Sequence, residues 1–528
     1  MDIFRTNKGP AQGFRAAADV VAALGIPYAA PPFGADRFRA PLPAPAWSGV
    51  RDCTRFGPIA PQSAELPGAP VWSPGDEDVL TLNVWTPASA SASSPASSSA
   101  SVSSPAPGGG RLPVLVWIHG GAYTFGSSAQ PDFDGTVLAR AGLVVVTFNH
   151  RIGFEGFGHV PGGAAVGHPD NRGLLDQVEA LRWVRENIAA FGGDPGNVTI
   201  AGQSSGAASV ACLMVMDRAR GLFRRAIVHS PASPCYTREI AEATTREIAA
   251  AAGCPVTPDG LTSMPPQALV AAADQVVDAY RRDPASGSRH YDPSLYAPVL
   301  DGDVLAVDPL EGMAAGAARG VDLLVCRTTE EYWLLEAVGS CAKITTDEQL
   351  ALFARDFGLP DGLVADYRAA LPDAPVSDVH LAVFGDLLFG EYGNRLAETH
   401  AGAGGRAFRS RFDRRRTGPD GTVRAWHCAD VPFAFGTLDD AAVAFLVGGA
   451  PTPADHELSR RMVRAWADFA ADGNPGWPPL DGNPGRSSRD ENSTSQDRTW
   501  VADGDATDGR RVSLRAPWAG VDFPVLRP

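Results

Sequence analysis

Short apolar runs alternate along the chain with longer segments of helical periodicity. Six of the runs predict strands, at residues 114–118, 143–148, 198–201, 225–229, 321–326 and 406–412. Between and after them, residues 174–191 and 458–471 repeat their apolar positions at helical spacing. Strands that alternate with helices are typical of a mostly parallel sheet with helices on its faces. The pattern therefore predicts an α/β fold, with residues 1–528 in a single domain.

Two polar segments interrupt this alternation. Residues 88–110 consist almost entirely of Ala, Ser, Pro and Gly, a composition that cannot bury a core. They lie between strand-like runs at 79–85 and 112–118, so we expect a long disordered surface loop that joins neighbouring strands. Residues 482–498 are rich in Asn, Ser, Arg and Asp and predict a second loop. Strand signals resume after each segment, so neither is predicted to be a domain boundary.

Two further segments read as helical insertions. Residues 237–320 and 345–400 contain helical stretches with proline-rich joints, and they lie between core elements rather than beside them. We therefore predict that they form a helical cap over an active site. The shape of a substrate pocket under such a cap cannot be predicted from these residues alone.

The composition of the chain argues against several classes of binding partner. The chain is 44% hydrophobic with a net charge of −15, and such a surface repels nucleic acids and anionic membranes. No run reaches the ~18 apolar residues of a membrane span, and the first residues do not resemble a secretory signal. The seven cysteines are scattered without a C-x-x-C pair, which weakens metal and redox interpretations. We expect a cytoplasmic monomer or small homo-oligomer with free thiols that acts on a small molecule.

One short motif points to a reactive serine. Residues 202–206 read Gly-Gln-Ser-Ser-Gly, directly after the apolar run 198–201 and before a stretch of small residues. Between a strand and a helix, Gly-x-Ser-x-Gly is typical of a nucleophile elbow, a tight turn that exposes the serine oxygen. In a chain with 57 glycines the motif alone could also be an ordinary turn.

A second glycine-rich turn follows the predicted strand 114–118. Residues 119–123 read His-Gly-Gly-Ala-Tyr. Such a turn presents backbone N–H groups without hindrance from side chains, as an oxyanion hole requires. A plain turn is the alternative interpretation of this motif.

Further motifs, taken in order, make the chain resemble the type-B carboxylesterases, the cholinesterase-like branch of the α/β-hydrolases, in their bacterial form. These blocks are GIPYAAPP at 25–32, EDVLTLNV at 77–84, HGGAY at 119–123, NRGLLDQ at 171–177, WVRENI at 183–188 and FGGDP at 191–195. The blocks run from residue 25 to residue 195, and their common order makes the resemblance specific. It implies an α/β-hydrolase fold with helical cap insertions, and an ester hydrolase that needs no cofactor and no metal.

The resemblance also implies a catalytic triad of Ser204, Glu331 and His427. Glu331 closes a Thr-Thr-Glu-Glu sequence after a predicted strand, and His427 stands in a His-x-x-Asp-x-x-Phe-x-Phe-Gly setting. The order Ser, Glu, His along the chain is the one that α/β-hydrolases use. A histidine with an ordinary pKa near ~6.5 can take the serine proton and return it to the leaving alcohol. Glu330 is expected to be a solvated neighbour.

The same resemblance assigns the oxyanion hole to the backbone N–H groups of Gly121, Ala122 and Ser205. Two more residues match family positions near a substrate pocket. Trp72 resembles an aromatic pocket wall, with packing as the alternative. Gln203 stands where the family commonly has glutamate, and a neutral side chain there favours neutral substrates.

Several other residues are predicted to have non-catalytic roles. His119 is expected to position the oxyanion turn, and His229 precedes the acid in the chain, so neither fits the role of base. Three further histidines are expected in polar, exposed surroundings, at His380, His400 and His456. By resemblance, Arg37 and Glu77 are predicted to form a buried, architectural salt bridge.

Together these features predict a serine carboxylesterase that cleaves neutral esters of short to medium acyl length through an acyl-enzyme. The alternatives within enzymes are an amidase, a carbamate hydrolase or a hydrolase that detoxifies natural products, since all use the same acyl-transfer groups. A non-catalytic recognition protein is disfavoured because Ser204 is present and no export signal is visible.

Overall fold

The computed structural model describes residues 2–64, 71–91, 110–232, 235–418, 421–482, 497–501 and 514–523. Its strands are β1 (Asp2–Arg5), β2 (Pro10–Ala17), β3 (Val20–Pro27), β4 (Arg51–Asp52), β5 (Thr81–Pro87), β6 (Leu112–Ile118), β7 (Val144–Phe148), β8 (Gly193–Gln203), β9 (Arg225–His229), β10 (Asp322–Thr328), β11 (Ala407–Phe412), β12 (Arg416–Gly418), β13 (Gly421–Val423) and β14 (Asp497–Trp500). Its α-helices are α1 (Ala88–Ser91), α2 (Thr136–Arg140), α3 (Gly153–Phe157), α4 (Arg172–Asn187), α5 (Ser205–Val215), α6 (Arg238–Ala252), α7 (Pro258–Ser263), α8 (Pro266–Arg282), α9 (Ser288–Tyr291), α10 (Pro309–Ala314), α11 (Trp333–Ala337), α12 (Asp347–Asp356), α13 (Asp361–Ala370), α14 (Val376–Gly385), α15 (Glu391–Gly402), α16 (Val431–Phe435), α17 (Ala444–Val447) and α18 (Pro453–Asp472).

Twelve of these strands form one sheet in the order β1-β2-β3-β5-β7-β6-β8-β9-β10-β11-β14, with β4 beside β2. Seven neighbouring strands pair in parallel, in the order β7, β6, β8, β9, β10, β11 and β14, whereas β1, β2, β3 and β5 form an antiparallel flank. Strands β12 and β13 form a separate antiparallel pair. The predicted α/β-hydrolase fold, a mostly parallel sheet flanked by helices, is confirmed. In such a sheet the carboxyl ends of the parallel strands meet at one edge, where ligands bind.

Both faces of the central strands are buried. Along β6, Val114, Val116 and Ile118 pack into one core cluster. Leu115 and Trp117 pack into another cluster on the opposite face. Because side chains of a strand alternate between faces, an apolar run without polar gaps is the expected sequence of such a strand.

The predicted boundaries agree closely in this central part. The run 225–229 coincides with β9, and the helical run 174–191 corresponds to α4 followed by a 3-10 turn at Ile188–Phe191. Helix α18 begins five residues before its predicted start, at a capping box in which the Thr452 and Asp455 side chains satisfy each other's backbone N–H groups. The antiparallel strands β1, β2 and β3 were missed. The Pro, Gly and Ala residues of β2 give little strand signal, and β1 has only four residues.

The two predicted insertions contain the helices α6–α10 and α12–α15. In the second, a π-helical turn at Asp386–Gly390 joins α14 to α15. Of the two predicted loops, residues 92–109 and 483–496 lie outside the described residues. Residues 88–91 form α1 and 497–498 begin β14, so these ends of the two predicted loops belong to regular elements. In the described ranges, no helix has the length and apolar character needed to cross a membrane.

Candidate active site

Ser204 stands at the sharp turn between β8 and α5. Its backbone has φ 56° and ψ −125°, a conformation that costs a residue with a side chain ~1–3 kcal/mol. The turn closes only with glycines, because a Cβ on Gly206 would lie 2.2 Å from the carbonyl oxygen of Ile118, and one on Gly202 would lie 2.6 Å from Gly206. The motif at 202–206 is therefore the strained, serine-exposing turn that the sequence predicts.

The turn after β6 lies directly against this elbow. A Cβ on Gly120 would approach the Cβ of Ser204 to 3.2 Å. Gly121 and Ala122 both have positive φ, 115° and 50°, so the backbone curls, and the N–H groups of Thr124 and Phe125 donate back to the Gly121 oxygen. In the part of the chain that the structure describes, the N–H groups of Gly121, Ala122 and Ser205 have no protein acceptor. These three donors are the ones that the sequence predicts for an oxyanion hole.

Glu331 follows β10 and is almost fully buried. Its Oε1 accepts hydrogen bonds from the Ser230 hydroxyl at 2.7 Å and from the Thr328 N–H at 2.8 Å. Its Oε2 lies 2.7 Å from Nδ1 of His427. Every contact holds the carboxylate toward the imidazole. Sequence reasoning missed Ser230, although a polar residue directly after β9 at the carboxyl edge of the sheet is a usable signal.

His427 is held on three sides. Its backbone N–H donates to the Glu331 carbonyl at 3.1 Å, which ties the two loops together next to their side-chain contact. The ring of Phe389, from the π-helical turn, lies over the imidazole with 4.3 Å between centroids. On the far side, Nε2 of His427 lies 2.8 Å from the side-chain amide nitrogen of Gln203. A π-helical turn commonly marks a functional site, and here it supplies the stacking ring.

The prediction that Glu330 is solvated is wrong. Its side chain is 3% exposed and accepts from Arg415 through Nε at 2.7 Å and from Arg424 at 2.9 Å. It also accepts the Ala425 N–H, and its own N–H donates to the Ala425 carbonyl. Glu330 therefore fastens the loop of the acid to the segment that leads into His427. Two arginines far along the chain compensate its charge, and no local pattern indicates them.

A second histidine–carboxylate pair lies beneath the elbow. Nδ1 of His229 is 2.6 Å from Asp430, and both side chains are buried. Burial lowers the pKa of His229, but the neighbouring Cys326 and the Asp430 carboxylate raise it more, and the pKa stands at about 10. The carbonyl of His229 accepts the N–H of Ser204 at 2.9 Å. His229 thus contacts the nucleophile through its backbone and the segment after His427 through its side chain.

His119 lies at the start of the glycine-rich turn after β6. Its Nδ1 lies 2.9 Å from the Gly120 carbonyl oxygen, and its ring stacks on His150 with 4.5 Å between centroids. Burial lowers the pKa of His119 to about 4, against the opposing effect of the Gly120 bond. The ring is therefore neutral near pH 7 and adds no charge beside the elbow.

Two of the three histidines that were predicted to be exposed are buried. His380 is packed among Phe353, Phe384 and Tyr332, and burial lowers its pKa to about 4. His400 is also buried, and its Nε2 lies 2.9 Å from a backbone carbonyl. His456 is partly exposed, with 37% of its side chain accessible. Each of the helices α14 and α15 buries one face, and the histidine lies on that face. The polar residues next to each histidine in the sequence therefore did not indicate its burial.

The predicted pairing of Arg37 with Glu77 is also wrong. Arg37 forms its buried ion pair with Glu155 on α3, with 2.6 Å between the guanidinium and the carboxylate, whereas Glu77 is exposed. Arg37 still forms a buried, structural ion pair, but with Glu155, which is 118 residues away in the chain. Contacts across such a separation depend on the fold, which a local motif does not contain.

Trp72 is half-buried and lies in a loop beside the N-terminal strands. Its ring stacks on Phe33 with 5.9 Å between centroids, and its Nε1 donates to the carbonyl of Asp76 at 2.9 Å. These are the contacts of a packed side chain.

A cavity of about 670 Å³ lies behind the acid loop. Glu330 and Glu331 line one wall, and residues 369–375 at the end of α13 line another. The second predicted insertion therefore packs over the acid side of the site.

The arrangement joins a half-buried, strained serine, N–H donors without an acceptor among the described residues, and a histidine oriented by a carboxylate, which suits acyl transfer. The sequence profile of the carboxylesterase family matches residues 2–500. The chain belongs to the carboxylesterase family. It is a hydrolase of carboxylic esters with the α/β-hydrolase fold.

Similar proteins are known in several bacteria. The chain is 35% identical over 458 residues to a para-nitrobenzyl esterase of Bacillus subtilis (strain 168), covering 85% of this chain and 86% of that protein. It is 33% identical to a phenmedipham hydrolase of Pseudarthrobacter oxydans, with coverage of 85% and 86%. Among solved structures, a carboxylesterase of Geobacillus stearothermophilus is 36% identical, with a TM-score of 0.75 over 91% of this chain and 94% of that one.

Proposed function

We propose that this carboxylesterase cleaves its ester through a covalent acyl-enzyme formed on Ser204. His427 takes the proton of the Ser204 hydroxyl as the oxygen attacks the ester carbonyl, because a serine hydroxyl is a weak nucleophile until a base removes its proton. Glu331 holds the imidazole in the tautomer that leaves Nε2 free to accept, and it stabilises the imidazolium that forms. The N–H groups of Gly121, Ala122 and Ser205 receive the charge that develops on the carbonyl oxygen.

The same groups then release the alcohol and hydrolyse the acyl-enzyme. The imidazolium of His427 protonates the leaving alcohol, and water then attacks the acyl-enzyme with His427 again as base. Each proton transfer and each charged oxygen is thereby assigned to a group of this chain. The observation that supports the proposal most is the 2.7 Å contact between Nδ1 of His427 and Glu331, beside a serine with φ 56°.

We further propose that the substrates are neutral esters of short to medium acyl length. Gln203 is 4% exposed and lies beside the nucleophile, so it places a neutral amide where a carboxylate would attract a cationic alcohol group. The segments 237–320 and 345–400 are proposed to form the cap that shapes the pocket. We propose a cytoplasmic location, action on small molecules and no nucleic-acid partner, with the enzyme a monomer or small homo-oligomer.

Ser204→Ala tests the nucleophile directly. With nitrophenyl esters of graded acyl length, we expect kcat to fall by about 10⁵ or more, because the attacking oxygen is lost while substrate binding stays. Ser263→Ala, an exposed serine at the end of α7, is the matched control and should keep wild-type turnover. Unchanged turnover in Ser204→Ala would exclude the proposed mechanism.

A further inference from the structure

The side chain of Gln203 contacts the nitrogen of His427 that the proposed mechanism needs. Its amide nitrogen lies 2.8 Å from Nε2, and in the described residues it is the hydrogen-bond partner of that atom. Gln203 closes β8 and pairs with His229 in the sheet, so its backbone position is fixed. A Cβ on Gly120 would lie 2.8 Å from the side-chain oxygen of Gln203. The amide is therefore confined between the oxyanion turn and the imidazole.

The chemistry of the two groups determines which of them donates. Glu331 accepts at Nδ1, so the neutral imidazole has its proton there and a lone pair at Nε2. An amide NH₂ can donate to that lone pair, whereas a carboxylate cannot. Glutamine at position 203 is thus complementary to the neutral, base-competent form of His427. Glutamate would instead be complementary to the imidazolium.

We propose that Gln203 is a positioning residue that donates to the Nε2 lone pair of His427 in the resting enzyme and releases it to Ser204 when the ester binds. This inference rests on the proposed function of His427 as base. The bond stabilises the neutral ring and keeps its plane aligned between Glu331 and the elbow. It also competes with the Ser204 hydroxyl for one lone pair, so the resting enzyme and the attacking enzyme differ in the partner of Nε2.

Several charged or titratable groups surround His427, and variants at position 203 leave them unchanged. Glu331 faces Nδ1, and Glu330 with its two arginines lies one residue further along the acid loop. The remaining groups are the Asp430–His229 pair beneath the elbow, Asp386 at the π-helical turn, and the neutral pair His119 and His150. Since these groups are common to all variants, a change in pH profile reports on position 203.

Two substitutions separate donation from packing. Gln203→Glu keeps the size and places a carboxylate beside Nε2, which favours the protonated imidazole. The acid limb of the kcat/KM profile should therefore move to higher pH by about 1 unit or more. Gln203→Met keeps the length and removes the donor without adding charge, so the limb should move in the same direction by less. The midpoint of the acid limb should therefore lie at the lowest pH with Gln at position 203, at a higher pH with Met, and at the highest pH with Glu.

The control is Gln349→Glu, which adds the same charge at an exposed position in the capping box of α12 and should leave the midpoint unchanged. Wild-type circular dichroism of each variant establishes that it is folded, and if the Glu variant does not fold, the Met variant decides. Midpoints equal to wild type, or in another order, would overturn the inference. If Gln203 only packed, Gln203→Met would lower kcat/KM and leave the midpoint unchanged, because only the added charge of Gln203→Glu would then move it.

A readout that needs no turnover separates this inference from the proposed function. In a Ser204→Ala background the hydroxyl competitor is absent, so the ¹⁵N resonance of His427 Nε2 reports on Gln203 alone. We expect that resonance to move when Gln203→Met is added, because a lone pair that loses its donor changes its shielding. An unmoved resonance overturns the role of Gln203 even if Ser204→Ala abolishes hydrolysis. Retained hydrolysis in Ser204→Ala would instead overturn the proposed function.

Discussion

Two buried histidine–carboxylate pairs include residues from the same segment, His427 and Asp430, and we propose a catalytic role for only one of the pairs. Glu331 and His427 meet at 2.7 Å, and Asp430 and His229 meet at 2.6 Å. All four side chains are buried, and each contact uses Nδ1 of the imidazole. The chemical groups are the same, so the difference in role comes from the surroundings of the other ring nitrogen.

The second nitrogen of His427 faces the elbow, where Gln203 contacts it. The second nitrogen of His229 lies in the buried core, where Cys326 is a neighbour of the ring, and the ring packs edge-on against Trp117 and Trp466. A pair enclosed in this way cannot exchange a proton with a substrate. It can stabilise the fold, because removing one partner would leave the other charge buried and uncompensated. The comparison therefore predicts opposite responses to the same kind of substitution.

Glu331→Gln should have the largest effect of the carboxylate substitutions on catalysis. An amide beside Nδ1 permits the wrong tautomer and no longer stabilises the imidazolium, so kcat should fall by about 10⁴. Thermal unfolding should change far less than turnover. Steady-state kinetics on a nitrophenyl ester together with a melting curve test this prediction. A fall in kcat of less than tenfold would contradict the assignment of the acid.

Asp430→Asn should mainly affect stability. It removes the partner of a buried, charged His229, and the free energy of unfolding should fall by about 3–5 kcal/mol. Denaturant unfolding provides the measurement, and kcat of the folded fraction should change much less than in Glu331→Gln. A variant as stable as wild type but catalytically inactive would reverse the proposed roles of the two pairs.

The smallest expected effect is a pH dependence of that stability difference. The pKa of His229 is raised to about 10, above the ordinary histidine value near ~6.5. Its stabilisation is therefore fully present below about pH 6.5 and is lost as pH rises toward 10. The difference in unfolding free energy between wild type and Asp430→Asn should shrink across that interval. A constant difference would mean that His229 is not charged in the folded protein.

Much of the site could be predicted because its signals are local. The elbow at 202–206 and the turn at 119–123 are short motifs in which glycines are required for close approach, so their geometry follows from a few adjacent residues. Glu331 and His427 could be predicted only because the surrounding motifs resemble a family. Their 2.7 Å contact joins positions 96 residues apart.

Most of the features that sequence reasoning missed depend on contacts between distant segments. Gln203 reaches His427 because β8 ends beside the histidine loop, and Ser230 reaches Glu331 because β9 and β10 are neighbours in the sheet. Arg37 was paired with the wrong carboxylate for the same reason. Burial of His380 and His400 was missed because an amphipathic helix buries a face, and neighbours in sequence do not share that face.

The most direct test of the account is to locate the covalent adduct. A sulfonyl fluoride reacts with serines that a histidine activates, and peptide mass spectrometry of the treated enzyme identifies the modified residue. We predict one adduct on the peptide that contains Ser204 in wild type, and a strongly slowed reaction in His427→Gln. His229→Gln, folded at low temperature, should still be labelled at Ser204. Labelling at another serine, or equal labelling rates in wild type and His427→Gln, would contradict the account.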